Sequence, residues 1–108
     1  MTEIKSNIAT DAQVKQWKQR WGEVHQFDVT IDDDGNTVTG YFRKPNLEVI
    51  GASISKGEND PIGSGNVLFE NCWLGGDDRI KSDDEARLSC ALRLNRLFKL
   101  RAVEVKKL

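Results

Sequence analysis

The chain contains a single histidine, His25, and two cysteines, Cys72 and Cys90, so a Cys–His nucleophile is the first chemistry to weigh. Such a pair needs the imidazole within hydrogen-bond reach of the thiol and a third group to orient it. His25 is remote in sequence from both cysteines and sits where polar and apolar residues alternate, so a solvated strand residue accounts for it. The two cysteines are separated by 17 residues and lie inside apolar patterns, which predicts buried free thiols rather than a disulfide or a ligand pair.

The acidic residues invite a metal reading. Asp32-Asp33-Asp34-Gly35 has part of the form of a calcium loop, but that loop needs an acid where Thr30 stands and a bidentate glutamate where Tyr41 stands. Asp77, Asp78, Asp83 and Asp84 are accounted for by loop solvation and helix capping. Gly63-Ser64-Gly65 resembles a piece of a phosphate loop, yet no Gly-Lys-Ser/Thr follows it and no strand precedes it. No catalytic residue, metal ligand or cofactor is therefore expected. Trp17, Trp21 and Trp73 could form an aromatic platform, but each lies on an apolar stripe and is expected in the core.

The elements that must carry these residues are legible from period and caps. Thr10 or Asp11 can cap a short helix in which Val14, Trp17 and Trp21 share a stripe, and Gly22 ends it. Phe27, Val29 and Ile31 alternate with polar residues as in a half-buried strand. Asp34-Gly35 marks a hairpin turn, and residues 37–42 return with Val38 and Phe42 on one face. Pro45 ends that strand and can occupy the first turn of a helix striped by Leu47, Ile50 and Ile54, weakened by Gly51, Ser53 and Ser55.

Asp60-Pro61 is a stronger start signal, leading into a helix with Ile62, Gly65, Phe69, Cys72 and Trp73 on one side and Gly75-Gly76 as its stop. Ser82-Asp83-Asp84-Glu85 has the form of a capping box with Ser82 as cap, which predicts a last long helix over residues 83–99. Its apolar arc is wide: Leu88, Ala91, Leu92 and Phe98 form one face, extended by Cys90, Leu94 and Leu97, leaving Ser89, Arg93 and Arg96 as a polar strip. Residues 101–108 read either as another helical turn or two, or as a short strand, since Val103 and Val105 alternate. The expected fold class is α+β: a flexible N-terminus over residues 1–10, then a single domain over residues 11–108 with an N-terminal helix, one β-hairpin and about three further helices.

A length of 108 residues suits one domain with a modest core, and 38% hydrophobic with 31% charged residues suits a small water-exposed one. No apolar run approaches the roughly 20 residues that span a bilayer, and the N-terminus lacks a secretory segment, so a cytoplasmic location without membrane contact is expected. Charge is divided along the chain. Residues 58–85 hold eight acids against Arg79 and Lys81, a net of minus six, whereas residues 86–108 hold seven bases against Glu104, a net of plus six. An acidic first turn and basic later turns complement the dipole of the last helix. The basic end carries no interleaved aromatic or glycine-rich pattern, so nucleic acid is not the expected partner. The wide apolar arc of the last helix predicts association with another copy.

The order of elements, with Phe42-Arg43-Lys44-Pro45, Asp60-Pro61 and Asn71-Cys72-Trp73-Leu74-Gly75-Gly76-Asp77, resembles the tail assembly chaperones of long-tailed bacteriophages and prophages over residues 13–108. The resemblance implies a non-enzymatic role: several copies coat the tape measure protein and keep its apolar helices soluble until tail tube protein polymerises around it. Under that reading the partner would meet Leu92, Arg93, Arg96, Leu97 and Leu100. The alternatives are a structural virion protein, such as a tail-completion or head-tail component, and a small nucleic-acid binder with a basic tail.

Overall fold

A computed structural model describes residues 8–108. The described chain is an α+β domain in the order α1 (Asp11–Trp21), β1 (Val24–Thr30), β2 (Thr37–Arg43), α2 (Leu47–Gly57), α3 (Pro61–Cys72), β3 (Trp73–Gly76), α4 (Arg79–Ser82) and α5 (Asp84–Leu94). Of the segment expected to be flexible, residues 1–7 lie outside the described residues. Ala9 and Thr10 are held: the Ala9 N–H donates to the Tyr41 hydroxyl at 3.1 Å, and Thr10 caps α1 by accepting from the Gln13 N–H.

The three strands form an antiparallel sheet in the order β1-β2-β3. The β1–β2 hairpin closes over Asp32, whose carboxylate accepts from the Asp34 N–H, the Asn36 N–H and the Asn36 side-chain amide. Those bonds hold the Asp32 carboxyl below its usual range. Val29 faces Val38 and Phe27 faces Gly40 across the pair, so Phe27, Val29, Ile31, Val38 and Phe42 point to one side. There Phe42 is fully buried among Phe27, Phe69 and Trp73, with ring centroids 4.5, 5.4 and 5.4 Å away.

The other side of β2 is covered too. Tyr41 is buried against Trp17 of α1, 5.4 Å between centroids, and Trp17 also lies over Gly75. The central strand thus loses its solvent face, which a reading as one half of a hairpin does not anticipate.

That third strand is the main correction to the sequence reading. Gly75-Gly76 is not a helix stop: α3 ends at Cys72 and the chain turns at once into β3, pairing Phe42 with Trp73 and Tyr41 with Gly75. Other expectations shift as well. Pro45 precedes α2, which Asn46 caps, and the buried side of α2 is Val49 and Ser53 rather than Leu47, Ile50 and Ile54. Ser53 tolerates burial because it exchanges bonds with Ser64 of α3: its hydroxyl reaches the Ser64 carbonyl at 3.1 Å, and the Ser64 hydroxyl donates to the Ser53 carbonyl at 2.8 Å.

Asp60 and Pro61 start α3 as expected, but Ile62 faces outward while Leu68, Phe69 and Cys72 are buried. The cap of α5 is Asp83, accepting from the Ala86 N–H, because Ser82 closes the short helix α4. Helix α5 stops at Leu94 rather than near Lys99; the chain turns through residues 95–98 so that Leu97 packs back on the core. From Lys99 to the end every residue is exposed and none is in helix or strand, so neither the helical turn nor a strand forms within this chain. Among the described residues no helix is long and apolar enough to cross a membrane.

Candidate functional site

Among the described residues the groups that could do covalent chemistry do not form a Cys–His pair. Cys72 and Cys90 are buried free thiols, and burial pushes each thiol up to about 11, the opposite of what an activated nucleophile requires. His25 lies on β1 beside Glu23, and that hydrogen bond holds the Glu23 carboxyl below its usual range. Asp77 is not a solvated loop acid: it is buried and accepts from the backbone, Nε and a terminal nitrogen of Arg79 at 2.9, 3.0 and 2.8 Å. That bond raises the Arg79 guanidinium above its ordinary value. Among the described residues no three His, Cys, Asp or Glu side chains converge as a metal site.

Surface, by contrast, is well furnished with apolar side chains. Leu88 and Leu92, one turn apart on α5, are 50% and 59% exposed. They point away because the inward side of α5 is set by Ala86, Cys90, Ala91 and Leu94, and Ala91 is pressed against α3 where Gly65 leaves room. On α2, Leu47 and Ile54 stand out at 84% and 62%, and on α3 Ile62 at 70%. Three helices therefore carry large apolar side chains that the domain itself does not cover. Isolated exposed leucines are ordinary, but pairs at helical spacing form a ridge that another helix can pack against.

A second feature is a cleft of about 910 Å³ between β1 and α5. One wall is the outer edge of β1, to which no described strand is paired; the other is the α5 side bearing Ala86, Ser89 and Arg93. Phe27, Ile31 and Leu97 form its apolar floor and stay only half-buried although they pack on the core. Asp32, Asp33, Asp83 and Glu85 give it an acidic rim.

The five residues expected to meet a partner are thus divided among three places. Leu92 is on the outward ridge of α5. Arg93 and Leu97 line the cleft, and Leu97, half-buried, also packs on the core. Arg96 is exposed in the turn after α5, and Leu100, 93% exposed, begins the terminal arm. Sequence reasoning missed Leu47, Ile54 and Ile62 as surface residues because it read their apolar spacing as core. Trp21 was also expected in the core, but it lies at the surface with the Arg20 and Arg43 guanidinium groups 4.8 and 4.2 Å from its ring.

No protein-family model matches the chain, and no curated protein matches it. Among solved structures, an uncharacterised protein from Bacillus stearothermophilus has a similar fold, with a TM-score of 0.59 at 18% sequence identity. The match covers 87% of this chain and 99% of that one. At that identity the likeness extends to the fold.

Proposed function

We propose that this chain is a non-enzymatic protein-binding module that serves as a tail assembly chaperone of a long-tailed phage or prophage. Its client is the tape measure protein, with tail tube protein as a further partner, and it works in the host cytoplasm as an assembly of several copies. The observation that carries the reading is the outward apolar ridge of Leu88 and Leu92 on α5, joined by Leu47 and Ile54 on α2 and Ile62 on α3. A long apolar helix in water needs a matching surface to cover it, and helical ridges at this spacing supply one without sequence-specific chemistry. Apolar side chains left uncovered on several faces of a small domain favour binding over catalysis.

Co-expression tests the reading. With the tape measure protein of the same locus, this chain should move the client from the insoluble to the soluble fraction; an unchanged insoluble fraction contradicts it. The exposed terminal arm favours a second reading, a structural tail-completion or head-tail component, because extended arms tie neighbouring subunits together. Mass spectrometry of purified particles separates the two, since a chaperone leaves the finished particle and a structural part stays.

A further inference from the structure

We propose that the terminal arm, residues 100–108, of one copy lies in the β1–α5 cleft of a second copy and adds a strand to the outer edge of β1. The cleft and the arm are each incomplete alone. On the cleft side, the edge of β1 is unpaired among the described residues, and Phe27, Ile31 and Leu97 are left half-covered. An uncovered edge is a template for another extended segment, and strand addition satisfies its backbone groups while burying alternate side chains.

The arm matches that template in three respects. Its side chains alternate, so in an extended conformation Val103 and Val105 fall on one face, and both are β-branched residues that favour strands. They stand 79% and 86% exposed, touching nothing in their own domain that would shelter them. Its length fits: nine residues extend about 30 Å, enough to run along all seven residues of β1. Its charge is complementary: Arg101, Lys106 and Lys107 against Glu104 on the arm, and Asp32, Asp33, Asp83 and Glu85 against Arg93 at the cleft. Opposite charges across a strand-addition site select partner and register more than they add affinity.

A second copy, rather than the arm's own domain, is the occupant. Leu97 already sits in the cleft, and beyond it the chain leaves the domain without returning. Every residue from Lys99 onward is exposed and none of them lines the cleft, so the arm stands off its own domain and is presented to a neighbour. Two copies that exchange arms reciprocally bury two identical contacts and close the assembly.

Charge reversal in the full chain tests this. In one variant the arm is reversed, Lys106→Glu with Lys107→Glu; in the other the cleft rim is reversed, Asp33→Lys with Glu85→Lys. Circular dichroism establishes that both fold, and light scattering reads mass. The wild type should have at least twice the mass of a single chain, with amides of the arm protected from hydrogen exchange. Each variant alone should lose that association, and an equimolar mixture should regain it, because each arm then meets an opposite rim. A wild type of single-chain mass overturns the proposal, whether its arm is protected (docked in its own cleft) or not. Variants that keep the wild-type mass, or a mixture that does not recover it, overturn it too.

Discussion

Replacing Gly76 by alanine should be among the most damaging small changes in the molecule, far worse than the same change at Gly35. Both glycines have positive φ, 130° at Gly76 and 82° at Gly35. At Gly35, in the hairpin, an added Cβ meets nothing within 4 Å, so the cost is the left-handed backbone alone, about 1 kcal/mol. At Gly76 the same Cβ would lie 2.5 Å from the Thr39 carbonyl oxygen and 2.6 Å from the Gly40 Cα. Those are backbone atoms of the central strand and cannot rotate aside.

Relief requires β3 to move off β2, which also loosens the 2.9 Å bond from the Asp77 N–H to the Thr39 carbonyl. A φ region that only glycine favours adds roughly 1–3 kcal/mol, and a weakened buried hydrogen bond about 1 kcal/mol more. The total is about 2–4 kcal/mol from a domain whose stability is on the order of 5–15 kcal/mol. Urea unfolding, with midpoint and slope fitted separately, measures both variants. If Gly76→Ala is no more destabilising than Gly35→Ala, the placement of β3 against β2 is wrong.

Two further consequences concern buried polar groups. Ser53 and Ser64 bond to each other's carbonyls between α2 and α3, so Ser53→Ala and Ser64→Ala should each cost about 1–2 kcal/mol, and the double variant less than their sum. Additive losses in a double-mutant cycle would show that the two hydroxyls act independently. Cys72 and Cys90 are each raised from 9.0 to about 11 by burial, so the fold favours the protonated thiol. Their contribution is therefore complete below pH 9 and declines as pH rises through 9 toward 11. Denaturation midpoints should fall between about pH 8 and about pH 10 in the wild type, and fall less in a Cys72→Ala/Cys90→Ala variant; equal slopes would show that the thiols are not sheltered.

The sequence announced the parts of the fold that local chemistry determines. Thr10 and Asp60 cap helices where a short polar side chain precedes an apolar period, and Asp32 with Gly35 closes the hairpin. What it hid depends on neighbours distant in the chain. Trp73-Leu74-Gly75-Gly76 has too few residues to show a strand period, and only pairing with β2 makes it one. Apolar spacing on α2 pointed to Leu47, Ile50 and Ile54, yet the inward side is Val49 and Ser53, because Ser64 offers Ser53 partners that no local pattern reveals. On α5 the arc is too wide for one face, which leaves open whether Leu88 and Leu92 meet the core or another chain; the structure divides that arc between the core and the outward ridge. Of the expected partner residues, Leu92 lies on that ridge, whereas Arg93 and Leu97 belong to a cleft whose other wall, β1, is more than sixty positions earlier in the chain.

The claim that the outward ridge binds an apolar helix is tested most directly by titrating a labelled helical fragment of the tape measure protein with the purified chain and with a Leu88→Gln/Leu92→Gln variant. Both side chains are at least half exposed, so the variant should unfold within about 1 kcal/mol of the wild type. Its affinity for the fragment should nonetheless fall at least about tenfold, the loss expected when two leucine contacts in a helix–helix seam are removed. Wild-type binding with the variant unchanged, or no wild-type binding at all, would contradict the account.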